Sequence, residues 1–258
     1  MDYKNILVGT EGPIGLITLN SPQTMNALSK NMIGELIRAF RSMGKDPAVR
    51  AIIVKANGKN FCAGHFLKEM VDGDVVEYKF IFDQCSEMMM TVHEVPQPVI
   101  AQVHGVATAA GCQLVATCDL AVADDTSRFA TPGVRIGLFC TTPMVALSRA
   151  VPRKHAMDML LTGRMISVDE ALRFGLVNKV VPEADLEKTT MELALSLAES
   201  SPLVLAMGKR AFYAQIDLDE PRAYEYAGGV ITVNLMAEDA QEGIKAFLEK
   251  RKPTWKGR

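Results

Sequence analysis

Hydrophobic and polar positions along the chain predict strands in the first half and helices in the second. Two β-rich runs, "ILVGTEG" and "IGLITLN", flank Gly12 and Pro13, and this arrangement predicts a hairpin. After it, apolar residues recur at every fourth position, which is the spacing of an amphipathic helix: Leu28, Met32, Leu36 and Phe40. The chain therefore opens with a hairpin followed by a helix.

The middle of the chain alternates buried strands with helices. Continuous apolar runs predict three strands, "RAIIVKA", "QPVIAQVHG" and "DLAVADD". A helix of small residues, "TAAGCQLVAT", separates the last two, and "SRFATP" predicts a further short strand. Parallel strands need long crossover connections, usually helical ones, so this alternation predicts an α/β core.

From about residue 142 the pattern is helical. Several capping signals mark helix ends there. They are Thr142 before Pro143, the pair Ser167 and Glu170, Gly175 as a C-cap, Ser201 before Pro202, and a last helix from about Asp239 to Lys252 that stops at Pro253. We interpret this half as a helical appendage that buries an apolar face, and another subunit is one surface that could cover it.

Composition narrows the function classes. The chain has 258 residues, a formal charge of -2 and 48% hydrophobic residues, which fits one large domain or a domain with an appendage. Near-neutral charge gives no basic footprint for nucleic acid, and we interpret the basic "KRKP" cluster as a solvated helix end. No run of about 18 apolar residues is present, so we expect no membrane span.

Cysteine usage and the N-terminal segment predict a cytoplasmic protein. The five cysteines are odd in number and lack CxxC spacing, which favours reduced thiols: Cys62, Cys85, Cys112, Cys118 and Cys140. The segment "MDYKNILV" is too short and too acidic for a signal or transit peptide.

Reactive residues are concentrated in "NFCAGHFLKEM", residues 60–70. Cys62 and His65 are close enough in sequence for a thiol–imidazole pair, but no orienting Asp or Asn lies nearby, and a small buried Cys beside a loop His is the simpler interpretation. We predict no metal site, because the four histidines lack ligand spacing: His65, His93, His104 and His155.

Small residues in the same segment favour a backbone site. Gly64 and its neighbours follow a predicted strand and let a ligand approach the main chain. A second such place is "HGVATAAGCQL", where a helix opens directly after a strand and its first N–H groups are free. Two such donors that converge on one point would make an oxyanion hole, although close packing alone also explains each segment.

Together, these segments resemble the enoyl-CoA hydratase/isomerase (crotonase) superfamily. The resemblance rests on "NFCAGHFLKEM", "ATAAGCQLVATCDLAVADDTSRFATP" and "LTGRMISVDEALRFGLVNKVV" and covers nearly the whole chain. It implies an α/β fold of the ClpP-like crotonase type, a spiral of ββα units. Residues 1–200 would form the core with the site, and residues 201–258 a helical trimerisation region.

The resemblance also implies a ligand and its contacts. It implies a coenzyme A thioester as substrate, no covalently bound cofactor, and self-association as a homotrimer or a dimer of trimers. The main-chain N–H groups of His65 and Ala110 would form the oxyanion hole. The residues expected along the coenzyme A path are Asn26, Ala27, Leu28, Ala63, His65, Phe66, Leu67 and Lys68, with Lys250 near a phosphate.

Two positions depart from the family's pattern. Hydratases that this chain resembles hold water between two glutamates, and Gln113 and Gly133 stand at those positions. A glutamine amide cannot take up and return a proton at neutral pH, and glycine has no side-chain group that could do so. Ordinary hydration is therefore expected to be largely abolished. Decarboxylation, another reaction of the superfamily, or a non-catalytic acyl-CoA-binding oligomer are the alternatives.

Replacement groups for the lost glutamates are sought in "GLFCTTP". We expect Gln113 to line the acyl pocket, with Cys140 or Thr141 within one water of it in the space that Gly133 leaves. Cys140 and Thr141 also have a simpler interpretation as a buried Cys and a capping residue. Asp119 and Glu69 are the other carboxylates considered, and we interpret both as structural.

Overall fold

A computed structural model describes residues 3–258, which form a mixed α/β fold. Met1 and Asp2, the first residues of the segment used above to argue against a targeting signal, lie outside the described residues. Across residues 3–258, no helix combines the length and the apolar character needed to cross a bilayer.

The strands form two sheets within the described residues. Their bounds are β1 Ile6–Glu11, β2 Ile14–Leu19, β3 Ala51–Ala56, β4 Val99–Val103, β5 Val106–Thr108, β6 Leu120–Asp124, β7 Arg128–Ala130, β8 Ile166–Ser167 and β9 Lys179–Val181. The larger sheet has the order β1-β2-β3-β4-β6-β9 and is parallel except for the β1–β2 hairpin. The smaller sheet, β5-β7-β8, carries the segments that precede the candidate site.

The helices follow the strands as crossovers and then as a C-terminal group. Their bounds are α1 Lys30–Gly44, α2 Val75–Glu94, α3 Ala110–Thr117, α4 Thr141–Ala150, α5 Arg153–Thr162, α6 Val168–Phe174, α7 Leu186–Ala198, α8 Pro202–Gln215, α9 Glu220–Leu235 and α10 Glu238–Glu249. Short 3₁₀ turns connect some of them, including Leu67–Met70 and Pro132–Ile136, which both border the site.

Local signals located most element ends correctly. The predicted hairpin is present, with Ile6 opposite Leu19 and the turn at Gly12, whose φ is +55°. Ser167 and Glu170 form the predicted capping box. Ser201 caps α8 by accepting a hydrogen bond from the amide of Val204.

Two predicted helix ends are wrong. Helix α4 begins at Thr141, after Cys140, so Thr142 is inside the helix and is not its N-cap. Helix α10 ends at Glu249 because Lys250 adopts a left-handed conformation (φ +53°) that terminates the helix before the predicted Lys252. The first error matters for the site, because it moves Thr141 from the loop into the first turn of the helix.

A buried ion pair fastens α8 to the core. Lys209 Nζ lies 2.7 Å from Asp119 Oδ2, and both side chains are largely buried. Asp119 also accepts hydrogen bonds from the amide of Val99 (2.7 Å) and the hydroxyl of Tyr213 (2.8 Å). Asp119 therefore has the structural role that we inferred from its position, and it joins the end of α3 to the C-terminal helices.

Candidate active site

The loop after β3 lies directly against the start of α3. The amide of Cys62 donates to the carbonyl oxygen of Val106 (3.1 Å), and the amide of Thr108 donates to that of Cys62 (2.9 Å). A Cβ atom on Gly111 would collide with the carbonyl oxygen of Cys62. Only glycine permits this approach, so the two small-residue segments identified in the sequence meet in space.

Gly64 and Ala110 bring the two backbone segments still closer. Gly64 has φ +96°, and a Cβ atom there would lie 2.7 Å from the Cβ of Ala109 and 3.2 Å from the amide nitrogen of Ala110. A side chain at this position would push the segments apart. The glycine thus sets the spacing between His65, which follows it, and the first turn of α3.

Ala109 turns the chain sharply into α3. Its φ of +49° and ψ of -119° lie in a region that residues with a side chain rarely adopt, and its amide donates to the carbonyl oxygen of Ala130 (2.9 Å). Backbone strain of this kind persists only where the surroundings enforce it. Neither His65 nor Ala110 has an acceptor for its amide hydrogen among the described residues. Two free donors are therefore available where the segments meet.

A cavity of about 340 Å³ opens beside these donors. Of the predicted site residues, it is lined by Ala63, His65, Leu67, Ala110, Gly133, Cys140 and Thr141. Its larger apolar side chains are Leu67, Met70, Phe82, Ile136, Leu138 and Phe139. Arg135 is the one acidic or basic side chain, histidine aside, among the described residues that line it.

The imidazole of His65 is neutral in this cavity. Burial lowers the pKa of His65 from 6.5 to about 4. Its ring packs edge-on against Phe82, with centroids 5.3 Å apart, and Nε2 is buried with no hydrogen-bond partner among the described residues. His65 therefore offers the cavity a neutral ring as well as its main-chain donor.

The structure does not form the thiol–imidazole pair considered for Cys62 and His65. Cys62 is fully buried, its sulfur lies 3.5 Å from the amide nitrogen of Gly64, and burial raises its pKa to about 12. A thiol with such a pKa stays protonated near neutral pH, so it lacks the thiolate character of a nucleophile. No group of three or more potential metal ligands occurs in residues 3–258.

Gln113 is not among the residues that line the cavity, contrary to our expectation. Its side chain is 4% exposed, and Oε1 is buried without a hydrogen-bond partner in the described chain. It lies one turn after Ala110 on α3, a helix that packs against α4 and is buried along almost its whole length. Thr131 Oγ1, just after β7, is another buried oxygen without a hydrogen-bond partner among the described residues.

Gly133 does not leave the space that we predicted. A Cβ atom there would collide with the carbonyl oxygen of Leu138 and lie 2.8 Å from Cys140 Sγ. The amide of Gly133 lies 3.3 Å from that sulfur and donates to it, and the amide of Leu138 donates back to the carbonyl of Gly133 (2.9 Å). The loop has therefore folded into the direction in which a side chain of residue 133 would project.

Cys140 and Thr141 both border the cavity. Cys140 is almost fully buried at the start of α4, and burial raises the pKa of its thiol. Thr141 is exposed in the first turn of that helix. The predicted arrangement of either residue within one water of Gln113 loses its basis, because Gln113 is not part of the cavity lining.

Six of the residues predicted along the coenzyme A path do not line the cavity. Asn26 is fully buried and supports the loop, since its side chain accepts from the amide of Ser21 (2.8 Å) and donates to the carbonyls of Asn57 (2.8 Å) and Asn60 (2.9 Å). These bonds occupy the amide, so its predicted ligand contact is not supported. The residues that do not line the cavity are Asn26, Ala27, Leu28, Phe66, Lys68 and Lys250.

Leu28 and Phe66 act through their backbone instead. Leu28 donates its amide hydrogen to the carbonyl of Gly64 (2.7 Å) and accepts from the amide of Phe66 (3.1 Å), which places both residues around His65. Lys68 is exposed on the following turn, and Lys250 is exposed at the end of α10. The contact of Lys68 with coenzyme A and that of Lys250 with a phosphate remain predictions.

Sequence reasoning missed several residues that line the cavity. Phe82 comes from α2, outside the segments that carried the resemblance, and Met70 ends one of those segments without having been singled out. The sequence did offer one signal, the large apolar residues Ile136, Leu138 and Phe139 around Gly137. The structure leaves all three exposed, and exposed apolar side chains of this size often belong to a binding site.

Comparison with known proteins places this chain in a family of enzymes. The family described as "Enoyl-CoA hydratase/isomerase" matches residues 9–258, and the chain belongs to that family. A crystal structure of an enoyl-CoA hydratase from Mycobacterium smegmatis superposes with a TM-score of 0.95 at 46% identity, covering 98% of this chain and 99% of that one. The predicted crotonase fold class is thereby confirmed.

A particular branch of the family is similar along most of the chain. The mitochondrial enoyl-CoA hydratase domain-containing protein 3 of Xenopus laevis is 50% identical over 246 residues, 95% of this chain and 84% of that protein. The Homo sapiens protein of the same name is 49% identical over 240 residues, 93% of this chain and 79% of that protein. The crystal structure of the human protein has a TM-score of 0.95 at 46% identity and covers 98% of this chain and all of that one.

These relatives contradict the predicted cytoplasmic location, because they are named as mitochondrial proteins. The prediction relied on free thiols and on the N-terminal segment, and all five cysteines are free and buried. Buried free thiols show that a fold needs no disulfide. They do not identify the compartment that holds the protein.

Proposed function

We propose that the chain binds an acyl-CoA thioester in this cavity and polarises the thioester carbonyl with the main-chain N–H groups of His65 and Ala110. The proposal rests on the close contact between Gly64 and the start of α3, which holds two free N–H donors at the edge of one cavity. Fixed donors stabilise an oxyanion because they need no reorganisation as charge develops. Negative charge that moves onto the carbonyl oxygen of a thioester enolate would meet both.

The same geometry argues against ordinary hydration. Among the described residues that line the cavity, none is an aspartate or a glutamate. Gln113 is buried and is not among the lining residues, and a side chain at Gly133 would meet the carbonyl of Leu138. General acid–base catalysis typically contributes about 10²–10⁴-fold, so a site without both carboxylates should hydrate an enoyl thioester very slowly.

Two measurements on the same preparation test the proposal. Calorimetric titration with butyryl-CoA should show saturable binding, and crotonyl-CoA should be hydrated at least about 100-fold more slowly than by a relative that retains both glutamates. Absence of butyryl-CoA binding would overturn the proposed ligand. Hydration at a rate typical of such a relative would overturn the conclusion about the lost carboxylates.

Decarboxylation is a second candidate, and the free donors without a neighbouring carboxylate favour it. In this reaction the bond between the α-carbon and a carboxylate breaks, carbon dioxide leaves, and the electron pair moves into the enolate. No base is needed, because water can return a proton to the α-carbon afterwards. Release of carbon dioxide from methylmalonyl-CoA would support this reaction, and its absence would leave acyl-CoA binding without this chemistry.

Self-association is also a proposal. The C-terminal helices expose several large apolar side chains: Tyr224, Val233, Met236, Phe247 and Leu248. Large apolar side chains that are exposed in number on one region often mark an interface. We infer that residues 201–258 pack against further copies of this chain, as a trimer or a dimer of trimers. The same observation favours a non-catalytic acyl-CoA-binding oligomer if no turnover is found.

A further inference from the structure

We propose that the imidazole of His65 is the base of this site, and that it removes a proton from the α-carbon of the bound thioester and returns it. The inference rests on the proposed function, since it concerns the same cavity and the same ligand. It goes further, because the proposed function uses only the main-chain N–H of His65. The side chain of the same residue here takes the proton transfer for which the cavity lining offers no carboxylate.

The ring of His65 lacks the hydrogen bonds that hold two other histidine rings. A ring nitrogen of His93 lies 3.1 Å from the carbonyl oxygen of Thr117, and one of His104 lies 2.8 Å from that of Gly58. Neither ring nitrogen of His65 has a hydrogen-bond partner among the described residues. Such an unpaired polar group inside a protein calls for an explanation, and a catalytic role is one.

The two nitrogens of this ring are not equivalent. Nε2 is enclosed by the protein, and Nδ1 is the nitrogen that stays accessible. A neutral imidazole carries its hydrogen on one nitrogen and a free lone pair on the other. With the hydrogen on Nε2, the lone pair of Nδ1 is available to a ligand in the cavity that His65 lines. We therefore assign the proton transfer to Nδ1.

The backbone on both sides of His65 fixes the position of the ring. The amide of Leu28 donates to the carbonyl of Gly64 (2.7 Å), and the amide of Phe66 donates to the carbonyl of Leu28 (3.1 Å). The ring itself packs edge-on against Phe82, with centroids 5.3 Å apart. A group that is held in place before the reaction loses little entropy on reaching the reactive geometry.

Among the described residues that line the cavity, no other side chain exchanges a proton readily near neutral pH. The guanidinium of Arg135 stays protonated, burial raises the pKa of the Cys140 thiol, and Thr141 and Thr142 carry only hydroxyl groups. Burial lowers the pKa of His65 to about 4, which is near the ordinary value of about 4.3 for a glutamate. At neutral pH the ring is therefore unprotonated and has a basicity similar to that of the carboxylates that are absent.

The proposed step uses both parts of His65. The carbonyl oxygen of the thioester accepts from the amides of His65 and Ala110, and the α-carbon lies two bonds from that oxygen. Nδ1 takes an α-proton, the electron pair of the C–H bond moves into the enolate double bond, and the oxygen gains the negative charge. Burial disfavours an imidazolium on its own, but here it forms beside the enolate anion, whose opposite charge stabilises it. Return of the proton to the α-carbon restores the thioester.

A single base of this kind supports proton exchange without supporting hydration. Exchange requires only that one group removes a proton and returns it. Hydration also requires a group that orients and activates a water molecule, and the described residues of the cavity lining supply no carboxylate for this purpose. The inference thus agrees with the slow hydration expected above.

Hydrogen exchange tests the inference with the full chain. Butyryl-CoA incubated with the protein in deuterium oxide should gain deuterium at the α-carbon faster than it does without protein, as followed by mass spectrometry and NMR. Because the imidazole approaches the α-carbon from one side, only one of the two α-hydrogens should exchange.

Variants assign the exchange to the imidazole. His65→Gln and the smaller His65→Asn remove the base and keep the main-chain N–H. General base catalysis typically contributes about 10²–10⁴-fold, so exchange should fall at least about 100-fold. Binding of butyryl-CoA in calorimetry and the lowered infrared frequency of its carbonyl should persist. His104→Gln is the matched control, because its ring does not line the cavity, and it should exchange at the unsubstituted rate.

Two results would overturn the inference and leave the proposed function standing. One is that the unsubstituted protein binds butyryl-CoA and polarises its carbonyl but exchanges no α-hydrogen, which is decisive even if neither variant folds. The other is that His65→Gln or His65→Asn binds butyryl-CoA and exchanges it at the unsubstituted rate. If butyryl-CoA does not bind at all, the proposed function fails and this inference fails with it.

Discussion

Gly133 and Cys140 are joined by a hydrogen bond of 3.3 Å from the amide of the glycine to the sulfur of the cysteine. The bond closes a loop at the position where the resemblance to hydratases led us to expect a glutamate. In place of that glutamate, this chain has a loop tied to Gly133, and its apolar residues Ile136, Leu138 and Phe139 line one side of the cavity.

Substitution of Gly133 should disturb this structure. A Cβ atom in Gly133→Ala would collide with the carbonyl of Leu138, and overpacking of this kind typically costs about 1–3 kcal/mol. We expect lower stability in chemical denaturation and weaker octanoyl-CoA binding. Gly208→Ala on α8 is the matched control, because open space surrounds that position. Unchanged stability and affinity in Gly133→Ala would show that the loop adapts without cost.

The sequence could not reveal this part of the site. Absence of a side chain at Gly133 suggested free space, but the loop bonds that fill it link residues 133, 138 and 140 in three dimensions and leave no periodic pattern. The prediction that Gln113 lines the cavity was wrong for a related reason. Helical spacing placed Gln113 near Ala110, but it contains no information about the neighbours that bury the side chain. The backbone donors were easier to predict, since they depend on small residues at fixed positions.

The ion pair between Lys209 and Asp119 should contribute strongly to stability. Lys209→Met leaves the carboxylate of Asp119 buried without its cation, and breaking a buried pair in this way costs about 3–5 kcal/mol. Lys188→Met is the control, because its contact with Glu192 is exposed and such pairs contribute at most about 1 kcal/mol. Equal urea midpoints for the two variants would contradict a structural role for the buried pair.

His65 should make the fold less stable in mild acid. Its pKa is about 4 in the folded protein and 6.5 as an unburied group, so between these values the unfolded chain binds more protons and stability falls as the pH falls. The full effect is on the order of 3 kcal/mol. His65→Leu should lose less stability between about pH 7 and about pH 5.

Part of the pH dependence should remain in that variant, because burial also lowers the pKa of His93, which stacks on Tyr213. The measurement is the free energy of unfolding by urea at each pH. A slope identical to that of the unsubstituted protein would show that His65 is protonated in the folded state as readily as in the unfolded chain.

The C-terminal helices should mediate assembly. Phe247 is 83% exposed on α10, and Phe247→Asp places a charge on the surface proposed as an interface. Light scattering after size-exclusion chromatography should show a trimer or hexamer for the unsubstituted chain and smaller species for this variant. Phe80→Asp, on the exposed side of α2, provides the comparison. A monomeric unsubstituted chain would refute the proposed assembly.

The fold was more predictable than the site because its signals are local. Ser167, Ser201 and Gly175 mark helix ends through bonds within one turn, and each was placed correctly. The start of α4 was predicted two residues late, at Thr142, because its actual N-cap, Cys140, makes no capping side-chain hydrogen bond that the sequence could reveal. Phe82 reaches the cavity only through the packing of α2, which no short motif encodes.

The carbonyl stretching frequency of a bound thioester tests the central claim most directly. Butyryl-CoA labelled with ¹³C at the thioester carbonyl can be followed by difference infrared spectroscopy, because hydrogen bonds from His65 and Ala110 would polarise that carbonyl and lower its frequency. Gly64→Ala should abolish this shift by separating the two donors. Gly12→Ala carries the same positive-φ strain in open space and should retain it. A bound thioester in the unsubstituted protein with the frequency that it has in water would contradict the account.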